Sequence, residues 1–333
     1  MKIGESGGEL NILERLLGPA GGYAVDGSAV DVVVPNGDDA AVVRFGGRLM
    51  AVTTDMIVEG RHFDRRFSSS PEIGRKAVEA ATSDIVAMGG YPRQVYLAVA
   101  LPTDTDIEIA EEIYRGIHAA CARLGTLILG GDTTVGAAEI VITVTVIGEI
   151  DSPAHVCPRS GARSGDLLCT TGPLGVAAAG LWALVKGEAG YEELKARHRA
   201  PECRLDCVAA LAPIATAMID VSDGLASEIH HLCRQSRVGA LVRGDLVPFH
   251  PAAGELSAVH GLDLLEFALS GGDDYELLYT VDPTDRDRVV GCVIGEMTAD
   301  PGVHLARNGI IEPLADRGYD HCRAAKSYIK CMA

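Results

Sequence analysis

The chain has 333 residues, 47% of them hydrophobic and 23% charged, ordinary globular material for two domains on a prior of about 150 residues each. Acids outnumber bases 46 to 29, a formal charge of −17, so the basic footprint of a DNA- or RNA-binding protein is missing. Nine scattered cysteines, an odd number, read as reduced thiols of a soluble cytoplasmic protein rather than a disulfide framework, and no apolar stretch is long enough to span a bilayer.

Residues 1–20 read as a Gly-rich head with a short helix over 10–17. Residues 31–34 and 40–45 are β-branched and predict two strands. Between them, Asn36-Gly37 suits a hairpin turn. A turn alone does not explain Asp38-Asp39 directly ahead of apolar Ala40-Ala41-Val42-Val43. The run 49–52 is a buried strand leading into Thr53-Thr54-Asp55. A carboxylate ending a buried strand is costly to desolvate without a partner. Two hydroxyls and a carboxylate together are hard oxygen ligands of the kind Mg²⁺ prefers. His62, in the following Glu59-Gly60-Arg61-His62-Phe63, is either a packed histidine or a group on the substrate.

Residues 71–90 predict a helix, with serines 68–70 as caps and Gly89-Gly90 as the stop. Ile73, Ala77, Ala80, Asp84 and Met88 share one face, so Asp84 points into a cleft, while Arg75 and Glu79 belong on the solvated face. A strand at 95–101 and a helix at 105–124 follow, with Tyr114 on the helix's apolar side. Residues 126–130 read as a buried strand ending in Gly130-Gly131-Asp132. Glycine there lets a phosphate approach the backbone, and the acid offers a metal ligand. The alternating Thr and Val of 138–150 predict a half-buried strand at an inter-subunit or barrel surface.

The polar stretch 151–163, with Pro153 and Pro158, is the predicted boundary between an N-terminal domain, 1–150, and a C-terminal domain, 151–333. The second domain opens with a strand at 167–171 and an Ala-rich helix at 175–185. Residues 187–200 read as charged surface and 204–218 as helix. At Ile219-Asp220-Val221-Ser222-Asp223-Gly224, acids again stand at a strand end. Helix capping accounts for Ser222 or Asp223 but leaves Asp220 unexplained. Glu228, His230 and His231 lack a further ligand at metal-like spacing and read as an exposed helical face. A strand at 239–249, a short helix at 262–269, the turn Ser270-Gly271-Gly272-Asp273-Asp274, a strand at 277–281 and a loop-rich tail after Pro301 complete the chain.

The usual nucleotide devices are absent: no Gly-Lys-Ser/Thr loop, no Gly-x-Gly-x-x-Gly, and no kinase His-Arg-Asp or Asp-Phe-Gly. What remains is a set of acidic clusters at strand–loop junctions. Carboxylates repel phosphate and hold it only through metal ions. Phosphoryl transfer requires positioning and charge neutralisation, which a nest of Mg²⁺ ions supplies.

In chain order, GDDAAVV (37–43), TTDMIVEGRHF (53–63), SDIVAMGG (83–90), GGDTT (130–134), RSGARSGD (159–166), IDVSDGL (219–225) and SGGDDYELLYT (270–280) resemble thiamine-monophosphate kinases. The resemblance covers about residues 30–320. It implies an α/β (α+β) fold of the two-domain aminoimidazole ribonucleotide synthetase type, its N-terminal sheet pairing into a barrel in a homodimer. It implies transfer of the γ-phosphate of ATP directly onto thiamine monophosphate, with several Mg²⁺ ions and no phosphoenzyme. By motif position, Asp39, Thr53, Thr54, Asp55, Asp84, Asp132, Asp220 and Asp223 would hold metal, with Asp55, Asp132 and Asp220 at the catalytic centre. Tyr114, Gly131, Asp132, Arg159 and Ser222 would hold ATP, and His62, Asp273 and Tyr319 the thiamine monophosphate.

The chain departs from the family pattern in places. Asp273 stands where the family usually has Glu, one methylene longer. Ala81 replaces an expected Asn, and 283–290 is short for the helix expected there. Sibling enzymes of the fold fit less well. Selenophosphate synthetase wants a reactive Cys near the N-terminus, and the first here is Cys121. The hydrogenase maturation factor wants one at the very end, and Cys331 is third from last. A non-catalytic metal- or nucleotide-binding protein is the remaining alternative.

Overall fold

The computed structural model describes Ile12, Leu16 and residues 31–319. The rest of the head, with most of its expected helix, and the tail from Asp320 lie outside the described residues.

The first sheet has six strands: β1 (Asp31–Val34), β2 (Ala41–Phe45), β3 (Arg48–Val58), β4 (Tyr91–Leu101), β5 (Leu127–Val135) and β6 (Val141–Ile150). Their spatial order is β1-β2-β3-β6-β4-β5, antiparallel throughout except β4 with β5. Helices α1 (Ser70–Ala87) and α2 (Ile107–Leu124) cover one face. The start of α1 is set by its caps: the Ser69 N–H and hydroxyl both donate to Glu72, and Pro71 occupies the first turn. Two glycines let the helices touch backbone to backbone. A methyl at Gly74 would lie 2.0 Å from the Ile113 carbonyl, and one at Gly116 1.9 Å from that of Pro71.

The second sheet has seven strands: β7 (Leu167–Thr170), β8 (Ala215–Asp220), β9 (Gly239–Arg243), β10 (Leu277–Val281), β11 (Cys292–Thr298), β12 (Val303–Arg307) and β13 (Ile310–Pro313). Their order is β13-β12-β9-β11-β7-β10-β8, with only β12 and β9 parallel. Around it lie α3 (Val176–Lys186), α4 (Glu192–Arg199), the single turn α5 (Val208–Leu211), α6 (Leu225–Ser236), α7 (Pro251–His260) and α8 (Leu264–Ser270). Both sheets are open, and neither closes into a barrel within the described chain. Val86, Ala87 and Met88 at the end of α1 share one buried cluster with Met218, Leu277 and Tyr279 of the second sheet. That packing brings Asp84 to Asp220.

Several elements differ from the sequence expectation. The helix expected over 204–218 is only one turn, because Pro213 interrupts it and the rest pairs with β10 as β8. Residues expected as charged surface at 187–200 contain α4, which buries Leu194 and His198. The strand expected over 239–249 stops at Arg243, and α7 was not foreseen. The tail forms the β12–β13 hairpin, turning at Asn308-Gly309 with φ of 51° and 78°, as a two-residue hairpin turn requires. The shortened region does not form a helix of ordinary length, only a 3₁₀ segment at Pro283–Arg288. β5, expected to be buried, is an edge strand with Leu127, Leu129 and Val135 exposed. Among the described residues no helix is long and apolar enough to cross a membrane.

Candidate active site

The acids meet where the first sheet, α1 and the end of β8 converge. Thr53 and Asp55 lie two residues apart on β3 and share the face toward α1. The Thr53 hydroxyl donates to Asp84 Oδ2 at 2.6 Å. Asp39 enters from the turn before β2, and Asp220 from the end of β8. Asp39, Asp84 and Asp220 each offer an oxygen atom, all within 4.8 Å of one another. Oδ2 of Asp39 and Oδ2 of Asp220 are buried without a hydrogen-bond partner among the described residues.

Such a cluster is electrostatically unfavourable by itself. Burial raises the Asp84 pKa well above the ordinary carboxylate range, and the charges of Asp220, Asp39 and Asp55 add to it. Burial, then Asp39, pushes Asp220 up to about 7. Burial raises Asp39 too, against the pull of Arg159. Asp38 is pushed to about 6, first by burial and then by Asp39.

Arg159 is the compensating cation on one flank. Its Nε donates to Asp39 Oδ1 at 3.1 Å, and its backbone N–H donates to Asp38 Oδ2 at 3.1 Å. The end of α6 fixes this loop: the Ser236 hydroxyl donates to the Arg159 carbonyl and accepts from the N–H groups of Gly161 and Ala162. Gln235 holds the Gly37 carbonyl beside the acid pair at 2.7 Å.

The remaining expected residues are distributed as follows. The Asp223 N–H donates to Glu228 Oε1 at 3.0 Å, and the Tyr319 N–H donates to the Asp223 carbonyl at 2.9 Å, so Tyr319 borders the site. Ser222 accepts the Asp273 N–H on its carbonyl at 2.8 Å. His62 folds back, its Nδ1 accepting the Val58 N–H at 3.0 Å, and it lies near Asp273. Thr54 points to the opposite face of the sheet, its hydroxyl 2.9 Å from that of Thr145. Tyr114 is half-buried against the core on α2.

Gly131 and Asp132 lie on β5. Asp55 pairs with Val144, Val144 with Leu97, and Leu97 with Gly131. Three strand spacings of about 4.8 Å put β5 roughly 14 Å from β3. Asp132 shares its side with Ala98, Thr143 and Met56, away from α1. Within one chain, therefore, Asp39, Asp55, Asp84, Asp220, Asp223 and Arg159 are brought together, and Gly131 and Asp132 are not.

Sequence reasoning passed over three residues. Glu228 is buried on α6, not on an exposed face. It stands three residues after Leu225 and four before Leu232, so its place on the apolar stripe was readable. Burial, Asp223 and Asp220 raise its pKa well above normal, with Arg159 opposing. Lys76 falls between Ile73 and Ala80 on the stripe of α1, and its ammonium donates to Asp273 Oδ2 at 2.7 Å. Tyr275 is buried, and its hydroxyl donates to Asp273 Oδ1 at 3.1 Å. Glu79, expected on the solvated face of α1, is fully buried against Arg123 and the Cys203 N–H.

Comparison with known proteins places this geometry. Residues 37–150 match the family model of AIR synthase related protein, N-terminal domain, and residues 163–307 match its C-terminal domain. Fold and acid cluster thus define the class of AIR synthase related proteins. The thiamine-monophosphate kinase of Salmonella typhimurium is 34% identical over 313 residues, covering 89% of this chain and 94% of that protein. That of Aquifex aeolicus is 33% identical over 249 residues, covering 73% and 79%. The chain belongs to the thiamine-monophosphate kinase family. The structure of AaThiL complexed with AMPPCP and TMP is similar at a TM-score of 0.84 and 29% identity, covering 96% of this chain and 99% of that one. A likeness to the E. coli hydrogenase maturation protein HypE, at 21% identity and a TM-score of 0.66, concerns the fold alone.

Proposed function

We propose that the chain phosphorylates thiamine monophosphate to thiamine diphosphate with ATP. Membership of the family supports this reading, as does a relative's complex with a nucleotide analogue and TMP. One observation carries it: three acids from distant segments converge to within 4.8 Å of one another, with buried oxygens left over and a guanidinium at their side.

The donor set fits Mg²⁺. It is all oxygen, hard and anionic, and leftover buried oxygens are what a cation would satisfy. Asp39, Asp55, Asp84, Asp220 and Asp223 would hold the ions from this chain, with Thr53 adjoining; Thr54, expected among the ligands, faces the other side of the sheet. When bound, Mg²⁺ neutralises the polyphosphate and the charge that develops during transfer.

The chain's own groups then orient the reactants. Arg159 neutralises donor phosphate oxygens on its flank, with Ser222 nearby. His62, the Asp273 turn and Tyr319 bound the acceptor. An oxygen of the acceptor monophosphate attacks the γ-phosphorus, the bond to the β,γ-bridging oxygen breaks, and ADP leaves with that electron pair. The acceptor is already anionic near neutral pH, so no general base is needed and no phosphoenzyme forms.

Two domains, 1–150 for nucleotide, metal and dimerisation and 151–333 as a C-terminal α/β domain, fit this division. We propose a homodimer in which the outer faces of two first sheets pair into a barrel. Its support is the apolar exposure of Met56, Leu127 and Leu129 on β3 and β5. Monomeric proteins rarely leave such groups together in water. At roughly 14 Å from β3, Asp132 takes part with Gly131 only if a second copy brings its own β5 to the site. Buried free thiols at Cys121, Cys157, Cys169, Cys203, Cys207 and Cys233 suit a reducing cytoplasm.

The reaction is tested with ATP labelled at the γ-phosphate, Mg²⁺ and thiamine monophosphate. Label is expected in thiamine diphosphate, and transfer to water alone, or no transfer, overturns the assignment. The dimer is tested by sedimentation. The wild type is expected to run as a dimer and Met56→Glu with Leu129→Glu as a monomer, whereas a monomeric wild type rules the barrel out.

A further inference from the structure

Two buried cations flank the acid cluster, and the reaction as described uses only one. Arg159 answers to Asp39, Glu228 and Asp38 on one side. Asp273 pairs with Lys76, with His198 and His62 nearby. The Lys76 side chain is 1% exposed. Its ammonium donates to Asp273 Oδ2 at 2.7 Å and to the His198 carbonyl at 3.4 Å. Lysine is rarely buried this deeply, because its charge must be compensated there. A methionine would fill the same place on α1 without that demand.

The turn that Lys76 holds is strained. Asp273 and Tyr275 both have left-handed backbones, with φ of 68° and 51°. Side chains other than glycine adopt such conformations only where their surroundings enforce them. Here the enforcement comes from two sides. The Asp273 N–H donates to Ser222 O at 2.8 Å and the Tyr275 N–H to Val221 O at 2.9 Å, pinning the turn to the segment that carries Asp220 and Asp223. Lys76 pins it to α1, which carries Asp84. Both Asp273 oxygens are engaged inside the protein, one by Lys76 and one by the Tyr275 hydroxyl. The Asp273 carboxylate thus holds the turn in place. The charges of Asp55 and Asp220 also act on the Tyr275 hydroxyl, so it stands against the cluster.

In-line phosphoryl transfer needs donor and acceptor on opposite sides of the moving phosphorus. Resting on the reading of the reaction above, we infer that Lys76 is a positioning residue for the acceptor phosphate ester. Acting through Asp273, it sets the 271–275 turn so that Tyr275 and His62 wall the acceptor's flank of the cluster, opposite Arg159.

The test compares wild type, Lys76→Met and the charge-free pair Lys76→Met with Asp273→Asn. KM is measured separately for ATP and thiamine monophosphate, together with Tm. Lys76→Met is expected to raise the KM for thiamine monophosphate about tenfold while the KM for ATP stays within about twofold. The double variant is expected to regain Tm, since no buried charge is left unpaired, yet keep the raised acceptor KM. Should Lys76→Met not fold, the double variant carries the same comparison. Equal rises in both KM values, or an acceptor KM at the wild-type level in either variant, reduce Lys76 to a structural clamp and overturn the inference. A wild type that labels no thiamine diphosphate sinks the reaction instead.

Discussion

Asp220→Asn is expected to cut kcat by about a thousandfold or more while making the cation-free protein more stable. The two effects share one cause. Asp220 is 2% exposed, with one oxygen unpaired and Asp39 and Asp84 beside it. Ionising it in the empty site is unfavourable, and its folded-state pKa of about 7 lies above the ordinary 3.8. Between these values the native protein binds more protons than the unfolded chain. Stability from this group is therefore complete below about pH 4 and lost as pH rises through about 7. A divalent cation reverses the loss by taking the place of the proton. In thermal melts at pH 8, Mg²⁺ should raise the Tm of the wild type and leave that of Asp220→Asn nearly unchanged. An equal Mg²⁺ effect on both proteins would show that the ions bind elsewhere. Asp55→Asn gives the companion result, with turnover abolished and the fold intact. Wild-type rates in that variant would place the metal site elsewhere.

Arg159→Met is expected to do the opposite to stability. Its guanidinium is the neighbour that offsets Asp39, whose carboxylate is fully buried. Removing one partner of a buried ion pair strands the other, at a cost of about 3 kcal/mol. The KM for ATP should rise about a hundredfold, since a charge-assisted contact to phosphate is lost along with the geometry of the Asp38-Asp39 turn. Urea unfolding and steady-state kinetics check the two halves independently. Adding Asp39→Asn to Arg159→Met should recover most of the stability and none of the activity. A double variant as unstable as the single one would mean that Arg159 acts by packing.

The contrast between these variants follows from how each residue could be read. Asp84 and Lys76 sit on one stripe of α1, and helix periodicity alone puts both toward the core. Glu228 was readable in the same way on α6, as i+3 from Leu225. It reads as exposed when weighed only as a metal ligand with His230 and His231, for which no further ligand stands at the right spacing. The exposed β5 could not be anticipated from residues 126–130, which are as apolar as a buried strand. An edge strand awaiting a partner has the same composition as a central one. Over 204–218, helix propensity lost to Pro213 and to the ladder that β10 offers the segment 215–220.

The sequence by itself determined the chemistry on offer: acids at strand ends, glycines where backbones touch, too few bases to hold phosphate without cations, and motifs in family order. These properties are local, carried by side-chain type and a short period along the chain. Only the tertiary structure decided which acids share a site. Asp39, Asp84 and Asp220 are separated by up to 181 positions in the numbering. They meet because α1 packs between two sheets, with Met88 and Met218 in one core. The same packing set Lys76 against Asp273 and left Asp132 three strands away. Strand register and helix packing fix those distances, and neither is a property of any short stretch of chain.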